Sequence, residues 1–232
     1  DVRVVPGGLD ALGEMLRARG LGGPVALAVD ANVAPLYAGR AETSLSGAGY
    51  TVQRLVISAG EQYKTISTLG GLWDGFLEGG LERGSTVVAL GGGVTGDLAG
   101  FAAATYLRGV RWVGVPTTLL SMADASLGGK TGADPPQGKN LVGAFHPPAP
   151  VLADPDLLAT LPEAEQRSGM AEVVKHGLLA DESLFRRCKS GWQAVQLAWP
   201  EVVRRAMAVK IGFIQADPYE KGARAALNLG HT

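Results

Sequence analysis

Four short apolar runs do most to limit what this chain can fold into. They are Val25–Val29 (VALAV), Tyr50–Ile57 (YTVQRLVI), Ser85–Leu90 (STVVAL) and Val110–Val115 (VRWVGV), with helical patterns such as Leu69–Leu81 between them. Apolar strands alternating with helices predict a parallel sheet covered on both faces. Ligands of such sheets sit beyond the carboxyl ends of the strands. The pattern then changes. After the proline-rich FHPPAPVLADPDLL only helical signals remain. SGMAEVVKHGLL and PEVVRRAMAVKIGFIQ are amphipathic, and Pro200 stands at a first-turn position. The chain is therefore expected to change character near 147–162. An α/β, Rossmann-like parallel-sheet domain over 1–155 would precede an all-α domain over 156–232.

A chain of 232 residues that is 46% apolar can bury one good core and has room for a second. The formal net charge is −1 and no Lys/Arg block occurs, so no nucleic-acid partner is announced. Cys188 is the only cysteine, which rules out an internal disulfide framework and suits a reducing, cytoplasmic setting. No apolar run reaches the ~18–20 residues of a membrane span. The opening at Asp1 carries no charged-then-apolar leader, so neither secretion nor a membrane partner is expected. The 34 glycines imply many tight turns and close backbone approaches.

The third run leads into ALGGGVTGDLAG, a strand, a glycine turn and a helix start. Gly91, Gly93 and Gly96 satisfy G-x-G-x-x-G, so backbone N–H groups at the helix N-terminus could hold a pyrophosphate. The same glycines also suit a tight corner where backbone packs on backbone, and both readings stand at this point. The acidic partner expected about 20 residues on is missing, and the next strand ends in PTT instead. Asp30 does end the first strand. Asp97 would repel phosphate unless it points elsewhere; as an early helix acid it would instead be stabilised by the helix dipole.

GGKT (128–131) resembles the tail of a P-loop, but that pattern needs glycine where Asp124 stands. Lys130 and Lys139 remain as two lysines in glycine-rich turns. They would suit a phosphorylated substrate, or they are solvated loop lysines. On the helices, Glu172, Lys175 and His176 share a face, as an active cluster or as a surface ion pair. Val203, Ala206, Lys210 and Phe213 form one stripe, which puts Lys210 on the side expected to be buried, where it needs an anion or must snorkel. Arg224, Asn228 and His231 follow at i, i+4 and i+7. Three polar stripes in one helical region point to a polar cavity facing the sheet.

No H-E-x-x-H is present, and the three histidines are His146, His176 and His231. His146, before two prolines, reads as structural. No G-x-S-x-G occurs and Cys188 has no evident base, so a serine or cysteine nucleophile is not expected.

The longer strings GGGVTGDLAGFAAATYLRGVRWVGVPTTLLSMADASLGGKTG, GKNLVGAFHPP, LATLP, GMAEVVKHG and LNLGHT together resemble the 3-dehydroquinate synthase family. The resemblance runs over almost the whole chain. It implies an NAD-binding α/β domain, a helical domain and an active site between them, in a homodimeric cytoplasmic enzyme. The implied substrate is a small seven-carbon sugar acid phosphate, 3-deoxy-D-arabino-heptulosonate 7-phosphate. The implied chemistry is NAD-mediated oxidation, phosphate elimination, reduction, ring opening and an aldol closure, with zinc or cobalt on the hydroxyls. Residue by residue, it places Asp30, Asn32, Glu61 and Lys64 on the nucleotide. Gly93, Val94, Thr95, Gly96 and Asp97 would cradle the pyrophosphate region, with Thr117, Thr118, Lys130, Lys139 and Thr160 completing the NAD contacts. Asp124, Lys130, Lys175, Lys210, Arg224 and Asn228 would be catalytic. Asn140 would meet the substrate phosphate, as would Arg108 across a dimer. Glu172 and His231 would hold the metal.

Two departures accompany the resemblance. Ala59 stands where an aspartate is expected before GEQYK. Thr232 falls inside the GHT motif, and a third metal ligand is expected beyond it. The expectation is that downstream chain is missing; without it the metal would be poorly held and apolar faces exposed. Three other readings remain open: a cyclase making an inosose or a valiolone, a metal-dependent polyol dehydrogenase, and a catalytically dead binding module.

Overall fold

The four apolar runs become four adjacent parallel strands of one sheet. The computed structural model describes residues 1–230. In chain order the elements are β1 (Val2–Val4), α1 (Leu12–Ala18), β2 (Val25–Asp30), α2 (Gly39–Gly47), β3 (Val52–Ile57), α3 (Ile66–Glu78), β4 (Thr86–Gly91), α4 (Gly93–Thr105), β5 (Arg111–Pro116), β6 (Lys130–Ala133), β7 (Val142–Phe145), β8 (Val151–Ala153), α5 (Glu163–Ala180), α6 (Glu182–Cys188), α7 (Trp192–Gln196) and α8 (Trp199–Ala216). The sheet has six strands in the order β1-β8-β5-β4-β2-β3. Every pairing in it is parallel. This is a Rossmann-like α/β architecture followed by a helical C-terminal region.

The strand sequences account for their places. β4 is buried along its whole length and β2 up to Asp30, as central strands covered on both faces must be. β3 alternates in exposure because it is an edge strand, with Arg54 turned out to pair with Glu42. β1 and β8 have three residues each, too short to show a period, and they extend the sheet beyond the four runs. The GGKT region also differs from expectation. Lys130 opens β6, which pairs antiparallel with β7, from Lys130↔Phe145 to Ala133↔Val142. Its glycines hid the extended segment, because glycine has no strand preference to read.

Two apolar clusters form, one on each face of the sheet. One contains Phe76, Leu98 and Trp112 under α3 and α4. The other starts from Leu9, Leu27 and Val113 and runs without a break into Val173, Trp199, Val203 and Met207 of the helical region. The helices are therefore fixed against the sheet by a shared core rather than by surface contact. Gly169 is needed for this approach: a Cβ there would stand 2.6 Å from the Leu120 backbone nitrogen. α5 thus passes close to the segment after β5. Lys210 on α8 is buried, as its stripe predicted. Among the described residues no helix is long and apolar enough to cross a membrane.

Candidate active site

The glycine turn lies at the carboxyl edge of the sheet, between β4 and α4. Gly91 makes the corner possible, since a Cβ there would lie 2.5 Å from Thr95 Oγ1. The corner also leaves a helix start open. Gly92 caps α4 and has no side chain to satisfy the first-turn N–H groups. The positive end of the helix dipole therefore faces the crevice. Among the described residues the buried hydroxyls of Thr95 and Thr117 have no hydrogen-bond partner. Thr118 accepts from the Ser121 backbone at 3.1 Å. The neighbouring strand β2 ends at Asp30, whose carboxylate accepts from the Asn32 backbone at 2.8 Å. The two readings of the turn are thus both physical: it is a tight corner, and it presents uncapped donors.

Asp97 does point elsewhere. Its carboxylate lies 2.6 Å from Lys64 Nζ, which also donates to Asn140 Oδ1 at 2.7 Å. Burial raises the Asp97 carboxyl above its ordinary value, against the pull of Lys64. Lys64 is itself buried. Its carbonyl accepts from Asp134 at 2.6 Å, and the Asp134 carboxylate accepts from the Asn140 backbone at 2.6 Å. The turn of the β6–β7 hairpin is therefore tied to the Lys64 segment and to α4. Lys139 on that turn lies 3.4 Å from exposed Glu61.

Beside this network opens a cleft of about 660 Å³ between the sheet edge, the hairpin and the helical region. Asp97, Asp124, Lys130, Asn140, Lys210, Arg224 and Asn228 all line it. The 224–228 stretch is not the α-helix expected from i, i+4 spacing. It is a 3-10 helix, Ala223–Asn228, which buries Arg224 and leaves Asn228 exposed on the cleft. The preceding loop is built by Asp217, whose carboxylate accepts from the backbones of Lys221, Gly222 and Arg224 at 2.9, 2.7 and 3.1 Å. Those donors hold the Asp217 carboxyl below its ordinary value. Glu220 on this loop bonds Lys130, and its carboxylate is 3.9 Å from Arg224 Nε. The Lys130 bond keeps Glu220 depressed despite partial burial. Sequence reasoning missed Glu220; an acid four residues before Arg224 in a glycine-containing loop was the available signal.

A second charged group meets the cleft at Asp124 and Lys210. Lys210 bonds Asp124, and Lys175 bonds Glu172 and donates to the Leu227 carbonyl at 2.6 Å. Burial alone would raise the Asp124 carboxyl, but Lys210, with Lys175 and His176 near, brings it below its ordinary value. Burial lowers Lys210. His176 is fully buried, and burial lowers its imidazole below the ordinary value, against the pull of Asp124 and Glu172. Ligand atoms of Asp124, Glu172 and His176 all lie within 4.8 Å of one another. An imidazole with two carboxylates is a donor set for a first-row divalent cation. His231 lies outside the described residues.

Thr160 and Arg108 are not among the residues that line the cleft. Thr160 ends the 3-10 helix Pro155–Thr160, and its hydroxyl is 2.7 Å from the Tyr37 hydroxyl. Arg108 is exposed beyond α4, on a backbone with φ of 68° after Leu107 at 49°.

Comparison with known proteins decides the family. Residues 54–168 match the family described as 3-dehydroquinate synthase N-terminal, and residues 169–232 match 3-dehydroquinate synthase C-terminal. The chain belongs to the 3-dehydroquinate synthase family. It is 52% identical over 210 residues to the 3-dehydroquinate synthase of Symbiobacterium thermophilum, covering 89% of this chain and 59% of that protein. It is 46% identical to that of Geobacter metallireducens over 100% of this chain and 65% of the relative. The chain thus spans about three-fifths to two-thirds of the length of the curated relatives it matches. Among solved structures, a 2-epi-5-epi-valiolone synthase from Streptomyces hygroscopicus with NAD+ and Zn2+ bound is similar at TM-score 0.88 and 32% identity, over 100% of this chain and 65% of that one. A 2-deoxy-scyllo-inosose synthase complexed with carbaglucose-6-phosphate, NAD+ and Co2+ is similar at TM-score 0.90 and 29% identity, over 99% and 63%. An iron-containing alcohol dehydrogenase from Thermococcus thioreducens, 17% identical at TM-score 0.77 over 97% and 66%, shares the fold alone.

Proposed function

We propose that this protein is a 3-dehydroquinate synthase, releasing phosphate from 3-deoxy-D-arabino-heptulosonate 7-phosphate and closing the carbocycle. The observation that carries the reading is the cleft itself. Lys130, Lys210, Arg224, Asn140 and Asn228 converge there, beside an uncapped helix start at the sheet edge. Such a set suits a substrate with a carboxylate at one end and a phosphate at the other. The relatives at 46–52% identity carry the synthase name, whereas the valiolone and inosose cyclases stand near 30%.

When bound, NAD would accept and return a hydride, and a zinc or cobalt ion would hold and acidify the hydroxyls being oxidised. Thr95, Thr117 and the first turn of α4 offer the donors for the NAD pyrophosphate end, with Asp30 and Asn32 at the ribose end. Glu172 and His231 would hold the ion, and the buried donor chemistry around Glu172 suits one. Arg224 binds and orients the substrate carboxylate. Lys130 and Asn140 bind the phosphate. Lys175 and Lys210 hold protons close to the reacting oxygens. Glu220, kept ionised by Lys130, is a carboxylate placed to accept a proton. The walls of the cleft keep one substrate in successive near-attack geometries, which is where much of the acceleration would arise. The same reading makes the protein a cytoplasmic homodimer, with Arg108 reaching across to the substrate phosphate.

The test is to follow inorganic phosphate and NADH absorbance together, with NAD, zinc or cobalt, and the seven-carbon keto acid phosphate. Phosphate release without net NADH is expected. Net NADH from a simple polyol without phosphate release would mean a dehydrogenase. NAD binding with silence in both channels would overturn the substrate assignment.

A further inference from the structure

Glu220 stands on a backbone with φ of 56°. A non-glycine residue keeps that left-handed conformation only where its surroundings impose it, and such residues gather at working sites. Here one residue imposes it. The Asp217 carboxylate accepts from the N–H groups of Lys221 and Gly222, just after Glu220, and from that of Arg224. The Asp217 carbonyl accepts from the Glu220 N–H at 3.4 Å. Both peptide units that flank Glu220 are therefore bonded to Asp217. The loop has two other ties, Tyr219 packed edge-on against Phe145 at 5.7 Å and Arg224 donating to the Pro218 carbonyl at 2.8 Å. Neither bonds to those two peptide units.

Asp217 closes α8, and its own N–H donates to the Phe213 carbonyl at 2.9 Å. An acid there faces the negative end of the helix dipole, so helix stability alone disfavours it. It is not among the residues that line the cleft. Its effect reaches the cleft through Glu220, whose carboxylate meets Lys130, lies 3.4 Å from Asn228 Nδ2 and stands 3.9 Å from Arg224 Nε. We propose that Asp217 is a positioning residue for the reaction: it holds the Glu220 backbone in the left-handed region, so that the Glu220 carboxylate is delivered to Lys130 in the cleft. The inference rests on the reading of Glu220 as a proton acceptor of the synthase reaction.

Inorganic phosphate is titrated calorimetrically into the wild type, Asp217→Ala, Glu220→Gln and the double variant. Phosphate release is followed in the same four proteins, and thermal melting checks that each folds. In Asp217→Ala the Glu220 carboxylate leaves Lys130, so phosphate should bind about tenfold tighter, as in Glu220→Gln. Turnover should fall about a hundredfold, with little change in KM. The double variant should match Glu220→Gln in both readouts, because a residue that acts through Glu220 then has nothing to act on. A further loss of kcat in the double variant, or wild-type phosphate affinity in Asp217→Ala, would mean a merely structural Asp217 and overturn the assignment. A wild type that releases no phosphate from the seven-carbon keto acid phosphate would sink the proton-acceptor reading instead. The phosphate titration then still judges whether Asp217 places Glu220. Should Asp217→Ala not fold, Asp217→Asn, which keeps one acceptor oxygen, is read in its place against the same outcomes.

Discussion

The ammonium of Lys210 on α8 is bonded to the carboxylate of Asp124, which follows β5. One ion pair thereby joins the helical region to the carboxyl edge of the sheet. The two sides are unequal: Lys210 is buried, whereas Asp124 keeps some contact with water. Removing the acid strands a buried cation, and removing the base strands a partly hydrated anion. Asp124→Asn is therefore expected to destabilise by about 3 kcal/mol, and Lys210→Met by less. The double variant should lose less than the sum. Urea unfolding of the four proteins checks this.

Lys64 holds Asp97 and Asn140 at once. In Lys64→Met the hairpin turn loses a charge-assisted bond, and local opening should rise about tenfold, the equivalent of ~1.4 kcal/mol. Trypsin cleavage after Lys139 reads the opening directly. Unchanged cleavage would mean that the Asp134 bonds hold the turn by themselves.

Glu220 occupies the side chain of Lys130 and stands beside Arg224. A bound anion must compete with that carboxylate. Glu220→Gln is expected to tighten inorganic phosphate binding about tenfold, since hydrogen bonds between charged groups are worth ~1.5–3 kcal/mol, while turnover falls. Isothermal titration with phosphate, set beside the phosphate-release assay, distinguishes the two effects.

Asp181 caps α6 by accepting from Leu184 at 3.0 Å and pairs with Arg205 at 2.9 Å. Burial opposes, but these bonds bring its carboxyl below the ordinary value of 3.8. A depressed acid adds stability above its unfolded pKa and loses it as pH falls through the folded one. Asp181→Ala should cost about 1 kcal/mol at neutral pH, and the difference from wild type should shrink below pH 3.8. Melting curves from pH 7 down to pH 3 measure it.

Much of the cleft could be read from sequence because its side chains sit where local pattern puts them. Lys210 falls on the apolar stripe of α8, and Asp97 stands one residue past the last glycine of the turn. Glu220 could not be found that way. Its relation to Lys130 joins positions 90 residues apart and depends on a loop held by Asp217. The 3-10 form of 223–228 was also hidden, since i, i+4 polar spacing fits an α-helix equally well. His176 was visible on a face with Glu172, but its full burial beside Asp124 was not.

The sequence by itself determined the alternation of strands and helices, the corner at Gly91 and the identity of the charged groups. These follow from short-range physics: side-chain period, glycine sterics and helix starts. Only the tertiary structure decided which charges meet. Lys64 with Asp97 and Asn140, Lys130 with Glu220, Lys210 with Asp124, and His176 beside Glu172 and Asp124 are set by how α5 and α8 pack on the sheet. That packing is decided by the shared apolar core and the close approach at Gly169, and apolar contact, being non-directional, leaves no local mark of its partner in the sequence.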